Sequence, residues 1–207
     1  MEWEPFLVLA LGYLLGSIPF GLLLTRLAGK GDLRDIGSGN IGATNVLRTG
    51  SKPLAAATLL FDALKGTAAV VIAQHIFPSY FQRDVLESFA AAGALIGHLY
   101  PVWLRFKGGK GVATFLGILI PLLPVAAAVY AGVWILLLLT VRISSVAGMA
   151  AAISAPVMAA VLGQRDLFPL LLGFALLVVW KHRANIARLK AGTEPKIGRG
   201  TGGSGPD

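Results

Sequence analysis

The sequence predicts an all-α membrane protein whose chain crosses the bilayer repeatedly. Three observations carry that prediction. Of 207 residues, 56% are hydrophobic and only 14% are charged, against about 25% charged in a soluble domain. The mean hydropathy is +0.75. The apolar residues come in runs near the roughly 20 that a spanning helix needs. These features exclude an ordinary soluble domain, a disordered chain and a collagen-like one. The net charge of +8 is carried by basics lying between the apolar runs, so it speaks first to membrane orientation rather than to nucleic acid. There are no cysteines, which removes disulfides, thiolate nucleophiles and Cys-ligated metal.

Taken in order, spans are expected near 5–27, 53–76, 86–104, 144–163 and 167–189. The first does not read as a cleaved signal, because Glu2 and Glu4 lead it without a Lys or Arg. Residues 111–141 are too long for one span and short for two, about 46 Å of helix, with Pro121 and Pro124 near the middle to break it. Charge decides. If the stretch crosses twice, as one helix to about 122 and another from about 124, the protein has seven transmembrane helices with the N-terminus outside and the C-terminus inside. The 18 Lys and Arg then divide as 15 inside, with Arg83 and Arg165 outside and Lys65 within a span. A single crossing divides them 9 against 8, so the positive-inside rule prefers two crossings. A re-entrant hairpin over 111–141 gives the same parity. Residues 1–199 read as one membrane-embedded catalytic domain and 200–207 as a flexible tail.

The unusual residues lie on the inner side. Residues 32–48 hold glycines at 37, 39 and 42. No strand precedes them, so the dinucleotide reading of that spacing fails. A Gly-rich backbone still makes a nest of N–H groups for phosphate oxygens. Ser38, Thr44 and Asn45 add side-chain donors beside Gly39 and Asn40, and Arg48 can fork onto a phosphate. The second segment runs Gly97-His98-Leu99-Tyr100-Pro101 and then Phe106-Lys107-Gly108-Gly109-Lys110-Gly111. Gly108, Gly109 and Gly111 around Lys110, at the start of an apolar helix, form an anion site from free N–H groups, the helix dipole and a full charge. Gly111 stands where a Walker loop needs Ser or Thr, which argues against ATP hydrolysis. In the third segment, 181–194, His182 and Asn185 stand i, i+3 on one face of a continuing helix. Asp62 and Lys65 sit at i, i+3 inside the second span and read as a structural pair near the site. His98 either binds or supports the loop. The histidines are scattered with no carboxylate cluster, so no metal and no cofactor is expected. There is no nucleophile elbow. The whole reads as a site for two or more phosphate-like anions.

These three segments together resemble the PlsY family of bacterial acyl-phosphate:glycerol-3-phosphate acyltransferases, across nearly all of 1–199. The resemblance implies transfer of a fatty acyl group from acyl phosphate to the 1-hydroxyl of glycerol 3-phosphate, giving lysophosphatidate and phosphate at the start of phospholipid synthesis. It implies an enzyme of the bacterial inner membrane with its active site facing the cytoplasm, and a soluble phosphate acyltransferase as the supplier of the donor. By motif it places Ser38, Arg48, Thr44 and Asn45 in a catalytic and phosphate-contacting set. It makes Gly108–Gly111 with Lys110 the glycerol 3-phosphate loop, puts His182 and Asn185 in the active set, and makes Glu194 a structural acid. The competing expectation is a transporter of an anionic organophosphate. The Pro-broken stretch suits it, but the Gly-rich motifs sit at the rim rather than the midplane.

Overall fold

The computed structural model describes residues 3–76 and 83–198, and these are helical without a strand. The expected tail at 200–207, Arg199, and most of the outer loop at 77–85 lie outside the described residues. The first span is α1 (Glu4–Gly16) followed by α2 (Phe20–Leu27), broken at Pro19, which has no N–H to continue the ladder. A short turn α3 (Ala43–Val46) precedes the long α4 (Lys52–Ile76) and then α5 (Arg83–Leu99). Next come α6 (Val112–Leu122), α7 (Pro124–Thr140), α8 (Ser144–Val161), α9 (Leu167–Lys181) and α10 (Arg183–Lys190).

Among the described residues, four helical stretches are long and apolar enough to cross a bilayer: Glu4–Leu27, Lys52–Ile76, Asp84–Leu104 and Ser144–Val161. A fifth is available if α9 and α10, bent by 57°, count as one. The expected spans therefore reappear within a few residues. The ambiguous stretch does break at Leu123, immediately before Pro124, while Pro121 is accommodated inside α6. With 11 and 17 residues, α6 and α7 measure roughly 16 and 25 Å, both short of a core about 30 Å thick. The chain reverses between them. Tyr130 Oη donates to Val112 O at 2.9 Å, and the Phe115 and Tyr130 rings meet edge-on at 5.5 Å. In one continuous helix residues 112 and 130 would be about 27 Å apart.

In lipid, helices gain little from mutual burial of apolar surface, so close contact needs small residues. Here α1 and α5 touch backbone to backbone. Gly12 and Gly16 lie against Ala90 and Ala94, while Gly93 and Gly97 lie against Leu9, Tyr13 and Ser17. The two registers advance together, so these helices run parallel and α4 returns the chain between them. Gly66 and Gly117 bring α4 and α6 together the same way, and Thr67 Oγ1 donates to Gly117 O at 2.8 Å. A core of Leu95, Phe115, Ile118, Ala151 and Phe174 joins α5, α6, α8 and α9. The outcome for function is geometric. The ends of α5 and α9 and the starts of α6 and α8 come to one end of the bundle, beside residues 28–48.

Candidate active site

The first wall is the 28–48 segment. Asp32 caps a short 3-10 turn and is gripped by Arg34 and Arg26, each at 2.6 Å. Those bonds, Arg34's first, hold its carboxyl well below the usual carboxylate range. Leu33, Ile41 and Val46 bury themselves against Leu22 and tether the segment to α2. Asn45 turns inward. Its amide N–H groups go to Leu33 O and Ile36 O, and its Oδ1 accepts from Ser38 N and Ser38 Oγ. It shapes the loop that presents Ser38, which is exposed. Thr44 Oγ1 meets Ser144 Oγ at 2.8 Å, joining this wall to the start of α8. Arg48 lies over Gly37, where a Cβ would meet its guanidinium and Cδ. Gly39 is exposed and Asn40 half-buried on the same loop.

The second wall is the 108–111 loop. Gly108 N and Gly109 N donate to Leu99 O and His98 O at 3.2 and 3.0 Å, folding the loop onto the end of α5. A Cβ at Gly109 would fall on His98 Nε2, so only glycine lets the backbone lie there. Gly111 caps α6 at φ 86°, a left-handed conformation that glycine adopts without steric cost. Lys110 is thereby fixed with its ammonium inside the site, where it donates to Asn185 Oδ1.

The third wall differs from the expected continuing helix. The helix ends at Lys181, and α10 leaves at 57°, with His182 as the joint. His182 is 3% exposed and its Nδ1 is 2.7 Å from Val178 O. A carbonyl only accepts, so Nδ1 carries the proton and Nε2 is left with a lone pair. Nε2 stands 3.6 Å from where a Cβ on Gly148 would be. The bend turns Asn185 toward Lys110 and Glu194. Glu194 Oε1 accepts from Asn185 Nδ2 and from Ser145 Oγ (2.7 Å), and Oε2 pairs with Arg188 Nε at 2.7 Å. Burial pushes the Glu194 carboxyl up, but these three donors outweigh it and hold it low. The strap carrying Glu194 is clasped through Ile197 N to Arg142 O (2.7 Å) and Arg142 Nη2 to Ile197 O (3.0 Å).

Ser145 and Arg188 complete the grip on Glu194 without a local signal in the sequence. Ser145 was legible as a hydroxyl opening an apolar span, but nothing local ties it to Glu194, 49 residues away. Asp62 and Lys65 are a buried pair at 2.7 Å, and His98 lies behind the second wall. His75 is exposed at the other end, bonded to Val71 O.

The electrostatics converge on Lys110. Burial is the largest cause lowering its pKa, to about 8; Arg188, Arg48 and Lys181 press the same way, and Glu194 opposes them. The helix N-termini of α6 and α8 add partial positive charge. Such a cluster is poised for a multiply charged anion. Lys110 loses its proton as pH rises through about 8 in the free protein. Since kcat/KM reports free-enzyme ionisations, kcat/KM for an anionic substrate should fall above about pH 8. Lys110→Arg, which stays charged, should flatten that alkaline limb.

The glycerol-3-phosphate acyltransferase family matches residues 6–192. The chain is 56% identical over 198 residues to a protein named glycerol-3-phosphate acyltransferase from Mesorhizobium japonicum, covering 96% of this chain and 98% of that one. It is 56% identical over 190 residues to the protein of the same name from Rhodopseudomonas palustris, covering 92% and 94%. Two crystal structures of PlsY, an integral membrane glycerol 3-phosphate acyltransferase, superpose on it. The glycerol 3-phosphate form gives a TM-score of 0.86 at 38% identity, covering 94% of this chain and 96% of that one. The lysophosphatidic acid form gives 0.84 at 37%, covering 94% and 95%.

Proposed function

The chain belongs to the glycerol-3-phosphate acyltransferase family, and on that premise we propose that its donor is a fatty acyl phosphate and its product 1-acyl-glycerol 3-phosphate. The observation that carries the reading is the convergence of Lys110, Arg48, Arg188 and Lys181 with two helix N-termini, because acyl phosphate and glycerol 3-phosphate are both phosphate anions. Side by side they repel, and this cluster offsets the repulsion.

An acyl phosphate is already activated. The acceptor's 1-oxygen bonds to the acyl carbon, the bond from that carbon to the phosphate oxygen breaks, and inorganic phosphate leaves. The protein's task is then alignment and charge stabilisation. The Gly108–Gly111 loop and Lys110 hold the acceptor's phosphate. Ser38 and Arg48 face the donor, and Asn185, oriented by Glu194, sets the direction of the Lys110 ammonium. The hydroxyl proton passes to the departing phosphate of the donor. The reading rests on the lack of a second candidate base among these segments; His182, with Nδ1 committed to Val178 O and Nε2 left with a lone pair, is the competing acceptor. The topology that suits the reading has the N-terminus outside, the C-terminus inside, and α6 and α7 as two short passes of seven. The site then faces the cytoplasm at the inner membrane, where a soluble phosphate acyltransferase delivers the donor and the lipid product leaves sideways.

The test is purified protein in lipid with glycerol 3-phosphate, offered palmitoyl phosphate or palmitoyl-CoA separately, with phosphate and lysophosphatidate assayed. Product from the phosphate donor alone is expected. Product from the CoA donor alone discards the donor assignment, and no product from folded protein brings anion transport forward. His182→Ala separates the proton routes: activity restored by added imidazole makes His182 the base and removes the substrate-assisted route.

A further inference from the structure

Three buried side chains, Asp62, Lys65 and His98, have no part in the reaction above, yet each is no more than 4% exposed. Charges inside a bilayer are costly and persist where something depends on them. Lys65 Nζ stands 2.7 Å from Asp62 Oδ1, but its aligned hydrogen bond goes to Ile18 O at 2.8 Å. Ile18 precedes Pro19, where the first span breaks and from where α2 leads into the 28–48 wall. Asp62 Oδ1 also lies 3.7 Å from His98 Nδ1, and neither of those two atoms has an aligned hydrogen bond. The His98 carbonyl receives Gly109 N, and its ring lies under the Gly109 backbone. One connected set of polar groups therefore joins the root of the first wall to the underside of the second.

We propose that Asp62, Lys65 and His98 act as a positioning unit that sets the separation of the two walls, with His98 fixing the seat of the acceptor's phosphate through Gly108 and Gly109. This rests on the assignment of the Lys110 loop to glycerol 3-phosphate. The physical reason for polar groups is register. Glycine contacts let the helices approach, while a buried charge set is satisfied in one alignment only, here with Lys65 Nζ on Ile18 O and Asp62 between Lys65 and His98.

The experiment compares His98→Asn with His98→Gln in the full chain in lipid. An Asn amide reaches the place of Nδ1, facing Asp62; a Gln amide reaches that of Nε2, against Gly109. The Asn variant should keep KM for glycerol 3-phosphate within about threefold of wild type, while the Gln variant raises it about tenfold with the donor KM unchanged. Asp62→Asn combined with His98→Gln should be no worse than His98→Gln alone, as expected of residues acting together. Equal acceptor KM values for the two His98 variants, a parallel rise in both substrates' KM, or additive effects in the double variant overturn the proposal. Wild type inert toward glycerol 3-phosphate would remove the functional reading instead. Amide exchange at Gly108 to Lys110 then decides the positioning unit alone: faster in the Gln variant supports it, and equal rates overturn it.

Discussion

Lys110→Met is expected to lower kcat/KM for acyl transfer by about a thousandfold or more, the scale seen when a preorganised group that stabilises developing charge is removed. Three losses coincide. The full charge nearest the α6 N-terminus disappears, Asn185 Oδ1 loses its donor, and the balance between Glu194 and the surrounding cations shifts. Methionine matches the length of the lysine stem, so packing is nearly kept and unfolding temperature should move little. Lys110→Arg keeps the charge but replaces a point ammonium by a wide planar fork. It should recover part of the activity and lose the alkaline fall. Near-normal kcat/KM for the Met variant would mean that Lys110 does not face the reacting groups. The check is steady-state kinetics with both substrates varied, alongside thermal unfolding.

The second large effect is Gly109→Ala, expected to cost about a hundredfold in kcat/KM, since misplacing reacting groups by about 1 Å can cost that much. The added methyl would fall on His98 Nε2. His98 is 4% exposed on α5 and has little room to turn, so the loop must lift and carry Lys110 with it. Gly132→Ala is the control. That glycine has nothing within 4 Å of its added Cβ and lies in helix α7, where alanine is the better helix former. It should leave turnover unchanged. A Gly109→Ala enzyme as active as the control would show that the loop tolerates displacement.

Much of this was legible in one dimension because its causes are local. A proline lacks an N–H and clashes with the preceding turn, so the break at Leu123–Pro124 follows from chain chemistry; the split at Pro19 has the same cause, yet residues 5–27 read as one apolar span and only the structure divides them. Lys110 among glycines ahead of an apolar run reads as an anion seat for the same reason, since free N–H groups and a nearby charge lie in one short stretch. Residues whose partners are distant were not legible in that way. Asn45 reads as a phosphate donor among hydroxyls, yet folding commits its amide to Leu33 O and Ile36 O. His182 and Asn185 read as neighbours on one helix, but the bend of 57° gives them separate partners.

The sequence by itself determined a helical membrane protein and the break ahead of Pro124, and it marked three Gly-rich or basic segments that the fold brings to one end of the bundle, because hydropathy, proline and glycine act within a few residues. Only the tertiary structure decided that Lys110 meets Asn185 from 75 residues away, that Ser145 and Arg188 complete the grip on Glu194, and that Asp62 faces His98. Those pairings depend on glycine-lined helix contacts that set helices side by side, and such contacts exist only after the chain has packed.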